Sequence, residues 1–518
     1  MAETELNIEL ALGGKLKILR NRRLERLRGI VLVTFVFLPI CSVSLYADTV
    51  VSSDALLEDF AIMHRALDTL HPGLLRYNTP DDLELHWSML RNEFSRDQTV
   101  RNAYLLISGF TASIGCGHTY PNPYNQSPSI KQEVLGGSDK LPFAFQIVDN
   151  RMFVTKDASD GRQLGSDVEI VTIDGVTVSD ILETLLHYVK ADGANNQKRI
   201  HDLQVFGSAE FEAFDVYFPL LFPPNDGSYD LTVRDRNSED VHDVSLKSIS
   251  AAKRTALIQD RYDTLPDSDD ELWEFKHLDV KTAYLKLGTF VTWHMTMNWS
   301  KFLRDAFEEL RTRQTPNLVI DIRGNEGGED AVYKYLLRNI ATEPIIAPLS
   351  RELLKYDEVP EDLRGYLDTW DSSFYDRRLK VESAGSGFFT WRSKPVANRG
   401  IVPVRAPYRG RVFLLINSAN SSGAFLLAHS ARKSSLATLV GQTTGGNLRG
   451  INGGQMFFLR LPNTGIEIDV PLIGYYPEKE IPDSGLAPDI LVPRSIEGVL
   501  GGEDPELEIV LEAIRAEG

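Results

Sequence analysis

The sequence predicts an α/β protein in three successive parts, helical, β-rich and alternating, behind an N-terminal targeting segment. Three observations carry that prediction. Apolar residues recur every three or four positions from Leu56 to Leu70, the spacing of an amphipathic helix. After Lys140 the period turns to two, with Phe143, Phe145 and Ile147 on one face. From Leu278 onward, short apolar runs alternate with amphipathic helical stretches, the rhythm of an α/β domain.

At 518 residues the chain exceeds one ordinary core, and two to four domains are expected. Its composition, 42% hydrophobic and 25% charged, is that of a globular protein. The net charge of -18 excludes nonspecific nucleic-acid binding, which needs a basic face. A basic run, Lys15–Arg28, precedes an almost unbroken apolar one over 29–47, then Asp48. This is the pattern of a secretory signal, and the apolar run also approaches membrane-spanning length. Residues 1–47 are therefore read as a signal peptide or an N-terminal membrane anchor. Either places the body of the protein in the periplasm or outside the cell. Of the two cysteines, Cys41 lies in that segment and Cys116 stands alone in the rest. No intrachain disulfide survives cleavage, and no zinc-ligand spacing is present.

The elements follow in order. Helices are expected over 53–70, 80–96 and 99–114, the first broken by His71-Pro72-Gly73. They form a helical part, 48–130, that ends in Gly115-Cys116-Gly117-His118, a glycine-flanked histidine in a loop. The β-rich middle part, 131–265, contains an Asp174-Gly175 hairpin turn and a helix over 178–188. More strand is expected over 215–235, and a polar linker over 251–271. The third part, 266–518, opens with a strand at 283–287 and a helix at 299–313. A buried strand, 318–322, then leads into Arg323-Gly324-Asn325-Glu326-Gly327-Gly328 and a helix from Asp330. Residues 345–405 form a long aromatic-rich insert, a candidate lid, substrate wall or packed excursion.

Arg411–Asn447 concentrates the chemistry. It reads as strand, tight turn, helix, strand and glycine loop, with Ser421-Ser422 where the helix begins. A helix N-terminus favours developing negative charge, which suits a nucleophile. Serine at this position is equally the usual helix cap. The glycine turn at 323–328 can aim backbone N–H groups at an oxyanion. It is not a phosphate loop, because no Lys-Ser/Thr follows its glycines. His118 is a candidate base, and the acidic cluster Glu478–Asp483 a candidate source of the group that orients it.

With these segments in view, the chain resembles the tail-specific, or C-terminal processing, family of serine peptidases. That family includes the tricorn protease core and the repeats of interphotoreceptor retinoid-binding protein. The resemblance rests on LVIDIRGNEGGED (318–330), VFLLINSANSSGAFLLA (412–428), ATLVGQTTGGN (437–447), DSGLAPDILV (483–492) and GCGHTY (115–120). It implies a crotonase-like (ββα superhelix) catalytic core, an N-terminal helical domain and a PDZ-like middle domain. It also implies peptide-bond hydrolysis through an acyl-enzyme, a protein or peptide substrate, and no metal or organic cofactor. By carry-over Ser422 is the nucleophile, with Gly441 at the family's nineteen-residue spacing, and Ser421 the alternate. Gly327 and Gly423 would supply the oxyanion N–H groups. The position of the family's catalytic lysine holds Asn447, and a family glutamate is replaced by Phe425. The resemblance therefore implies His118 as base, with Asp483 as third member and Glu480 as its alternate. A non-catalytic peptide- or lipid-binding protein on the same scaffold is the competing reading, and a crotonase-type acyl-CoA enzyme a third.

Overall fold

Three capped helices open the described chain. In the computed structural model, residues 48–516 are described, apart from 166–167, 237, 239 and 394–399. The targeting segment lies outside these residues. Ser52, Thr79 and Thr99 each accept a hydrogen bond from a first-turn N–H of helices Ser53–Leu70, Pro80–Phe94 and Val100–Ser113. Thr79 and Asp82 complete a capping box. The third helix delivers the chain into the His118 loop.

The middle part is an antiparallel sheet ordered Phe143–Val148, Arg151–Asp157, Val168–Ile173, Ser228–Asp235, Val241–Lys247. Its tight turns place Asp149, Asn150 and Asp174 at positive φ, where Asn and Asp are tolerated. Two expectations change here. Residues 213–221 form a helix, not a strand, with Phe214 to Pro219 all buried. A segment apolar all round shows no period by which helix and strand can be told apart. Residues 251–262 form a helix rather than a linker. Its buried face is carried by Ile258 and by Arg254, which pairs with Glu212 at 3.0 Å and with Asp215. A buried arginine reads as polar in sequence, which hid the packing face.

The third part is built on a six-stranded sheet. Its order is 490–491, 438–441, 411–416, 317–321, 282–287, 273–277, parallel except at Trp273–His277. Asn317–Asp321 is buried at every position, as expected of a parallel strand covered on both faces. A four-stranded sheet stands beside it, in which the insert strands Arg351–Leu353 and Leu367–Asp368 flank the hairpin Ile451–Arg460/Glu467–Tyr476. Tyr356 and Tyr375 of the insert pack on Phe457, so this stretch of the insert is a packed excursion. Residues from Ala47 onward form one compact unit. Among the described residues no helix is long and apolar enough to cross a membrane.

Candidate active site

Strands Asn317–Asp321 and Arg411–Ile416 are parallel neighbours, with Asp321 in register with Leu415. The turns that follow them therefore emerge side by side at the carboxyl edge of the sheet, where open α/β sheets form their sites. Asn420, which is buried, and Asn417 bind the turns together, and Asn325 ties its turn to the next strand. Asn420 Nδ2 donates to the carbonyls of Ile322 and Asn325, at 2.5 and 3.0 Å. Asn325 Nδ2 donates to Leu287 O at 2.8 Å, and Gly324 N–H to Asn417 Oδ1 at 3.1 Å. Sequence reasoning missed these ties, although an asparagine in each turn is visible.

Ser422 opens helix Ser422–Lys433 with φ of 46°. A non-glycine residue in that region is strained, and such strain collects at functional sites. Neither serine acts as a cap through its side chain. Ser421 Oγ donates to Glu326 O at 3.0 Å, and Ser422 Oγ, partly exposed, takes part in no hydrogen bond among the described residues. The conformation thus spends backbone strain to present an unpartnered hydroxyl, which a simple helix cap would not do.

The glycine turn differs from expectation in one respect. The Gly327 N–H donates to Asn325 Oδ1 at 2.8 Å and is not available to an oxyanion. Gly327 matters for space instead. A Cβ there would lie 2.7 Å from Gly423 N and 2.8 Å from Ser422 Cβ, and its φ of 104° is one that side chains rarely adopt. Glycine at 327 leaves the Gly423 N–H open, and that N–H has no acceptor among the described residues.

His118 faces Gly453, where a Cβ would lie 3.9 Å from its Nε2, and its Nδ1 is buried without a partner among the described residues. Burial holds its pKa down to about 4, helped by Lys190 and Lys198 and opposed by Glu326. It is therefore neutral and able to accept a proton at neutral pH. No hydrogen bond joins His118 to Ser422 among the described residues. Glu326 links their surroundings: its carbonyl holds Ser421 and its carboxylate acts on the imidazole.

Asp483 does not reach His118 by a hydrogen bond. It accepts from Asn447 Nδ2 at 2.6 Å and from Ala194 N at 3.2 Å. Glu480 is exposed, with Arg449 at 3.8 Å. The expected acid is thus a tie between the glycine loop and the middle part. Asn447 also donates to Asp192 O at 3.1 Å, so the residue in the lysine position has a structural task. Phe425 is buried against Gly446. Lys433 lies exposed at the far end of the serine helix.

Nothing in the sequence pointed to Lys198. This lysine belongs to the middle part, yet it is 3% exposed and pairs with Asp202 at 2.5 Å and Glu326 at 3.2 Å. Burial opposes its charge, but the two carboxylates outweigh burial and hold its pKa above the usual lysine range. It is a fixed cation, unsuited to proton abstraction. Cys116 is buried, accepts from Asn452 Nδ2 at 3.2 Å, and has its thiol pKa raised by burial. That excludes a ready thiolate. Among the described residues no three metal-ligating side chains are grouped to hold an ion.

Residues 281–492 match the model of Peptidase family S41. Mature CPAF superimposes with a TM-score of 0.58 at 16% identity, over 86% of this chain and 94% of that one. CPAF complexed with lactacystin gives 0.58 at 16% identity, over 87% and 95%. The photosystem II D1 C-terminal processing protease matches over 88% and 98% at 16% identity, with a TM-score of 0.39. No curated protein matches the chain. The fold likeness to CPAF extends beyond residues 281–492 into the helical and middle parts.

Proposed function

We propose that the protein is an exported serine peptidase that cleaves peptide bonds through an acyl-enzyme on Ser422, with His118 as general base. The observation that carries this is Ser422 itself: strained, unpartnered, and beside an open Gly423 N–H within the residues matching the S41 model. Ser422 Oγ attacks the scissile carbonyl carbon and its proton passes to His118. The Gly423 N–H stabilises the oxyanion. The tetrahedral intermediate collapses, and His118 protonates the departing amine. Water, deprotonated by His118, then attacks the ester, and the carboxylic product leaves with Ser422 regenerated. A hydroxyl and a base that are not yet in contact are compatible with this scheme, since catalytic hydrogen bonds often tighten only with substrate bound.

In this reading the parallel sheet and serine helix are the crotonase-like core. The antiparallel sheet with helix Val178–Leu185 is the PDZ-like module that admits the substrate. The basic and apolar runs before Asp48 support export, with cleavage or anchoring at 29–47. Asp483 acts on the segment behind His118 rather than on the imidazole.

Fluorophosphonate labelling of the purified protein, followed by mass spectrometry, tests the proposal. An adduct on Ser422 that disappears in His118→Ala is the expected result. An adduct on Ser421 would move the nucleophile by one residue. A folded protein that takes no label would overturn the peptidase reading in favour of peptide or lipid binding.

A further inference from the structure

Residues 192–202 touch three parts of the candidate site. Asp192 Oδ1 accepts from Gly117 N at 3.0 Å, and Gly193 N–H donates to Gly115 O at 2.9 Å, so one end of the segment grips the His118 loop. Asp192 O accepts from Asn447, Ala194 N–H reaches Asp483, and Asn195 Nδ2 donates to Thr444 O at 2.9 Å, which secures the glycine loop. Lys198 closes the set on the oxyanion turn through Glu326. Its stem lies on Gly445, where a Cβ would come within 2.7 Å of the Lys198 Cδ.

Part of the segment also borders open space. A cavity of about 970 Å³ opens between helices Pro80–Phe94, Val100–Ser113 and Val178–Leu185, and Gly193, Ala194, Asn196 and Arg199 line it. A backbone beside a void is not held by side-chain contact, so its hydrogen bonds and ion pairs decide its place.

We propose that Lys198 is a positioning residue of the peptidase site. It locks the Asp192–Asp202 segment onto the oxyanion turn and thereby sets the His118 loop against Ser422. The charge and the stem both contribute: the ammonium sits between the carboxylates of Asp202 and Glu326, and the methylenes fill the space above Gly445. The segment reaches the histidine loop, the glycine loop and the oxyanion turn at once. Releasing Lys198 therefore loosens the relation between base and nucleophile without touching either.

This inference rests on the peptidase reading, and two measurements separate them. Hydrogen exchange of the full-length protein needs no activity. In Lys198→Met, amides of 115–120 and 441–447 exchange at least tenfold faster than in the wild type, while those of the sheet 143–173 do not change. Unchanged rates in both loops, or a rise throughout the sheet, would overturn the inference. The second measurement is the fluorophosphonate labelling rate at Ser422 against pH. The charged groups facing His118 are Lys190, Lys198 and Glu326. Removing the Lys198 cation leaves Glu326 to act on the imidazole, so the acid limb of the rate moves to higher pH as the maximum falls about tenfold. The double variant Lys198→Met/Glu326→Gln falls no further than the single one and brings the limb back down. A limb that stays in place in Lys198→Met, with the wild type labelled normally, sinks the inference and leaves the peptidase reading intact. Absence of label in the wild type sinks the peptidase reading, and the exchange data still decide whether Lys198 holds the segment.

Discussion

Ser422 and His118 belong to one candidate site but are held by different means. On the serine side, the two turns follow adjacent strands of one parallel sheet, and Asn420 and Asn417 fasten them at short range across it. The histidine side is a loop without a strand of its own. Its neighbours are fixed by partners distant in sequence: Gly117 by Asp192, 75 residues on, and Cys116 by Asn452, 336 residues on. Backbone ladders in a covered sheet are cooperative and hard to move one at a time. Single polar ties beside a cavity open one by one, which is the usual character of segments with low local stability. The serine side thus supplies a rigid reference, and the histidine side is where the site can be adjusted.

Several substitutions would break or sharpen that contrast. The largest effect is expected from Ser422→Ala, which should lower kcat/KM by at least about a thousandfold while the melting temperature holds, since a triad knock-out leaves only residual catalysis. Retained turnover in that variant would show that the rigid side does not carry the nucleophile. Next comes Gly327→Ala. A methyl there covers the Gly423 N–H, and losing one oxyanion donor costs roughly 100–1,000-fold in kcat. If kcat survives, with the added methyl seen in a crystal structure of the variant, Gly423 is not the donor.

The histidine side should respond more gently. If Asp483 oriented His118 directly, Asp483→Asn would cost about 10,000-fold, as for a triad acid. Its bonds to Ala194 and Asn447 instead predict a loss of only about tenfold, the size seen for groups that act through another residue. A steady-state measurement distinguishes the two at once. The pH profile is a related check. His118 must be neutral to accept the serine proton, and its pKa is held down to about 4. Activity should therefore persist through about pH 6 and fall only as the pH drops through about 4. A fall near the ordinary histidine value of about 6.5 would mean that the histidine pocket is open to water.

The smallest effect is assigned to Ser421→Ala. It removes one hydrogen bond to Glu326 O, a loss of about 0.5–1.5 kcal/mol in stability, with labelling of Ser422 preserved. Disappearance of the label there would exchange the roles of the two serines.

The sequence by itself determined the three helices, the change of period after Lys140, and the strand–turn–helix bearing the two serines. In each the signal is local: capping residues, a face repeated every two or four positions, or glycines bounding a turn. It also located the glycine-rich and serine-bearing turns that fall within the residues matching the S41 model, because a turn that must aim backbone at a reacting atom constrains consecutive residues. It erred where burial erased the pattern, at helix Ala213–Leu221, buried from Phe214 to Pro219, and at the helix whose packing face includes Arg254. What the tertiary structure decided is how the parts of the site meet. That Gly327 makes room beside Gly423, that Asp483 ties loops together, and that Lys198 reaches the glycine turn at 323–328 from the middle part are facts of residues far apart in the chain. Local propensity carries no information about such contacts, because their free energy appears only when the sheet, the glycine loop and the Asp192–Asp202 segment are packed together.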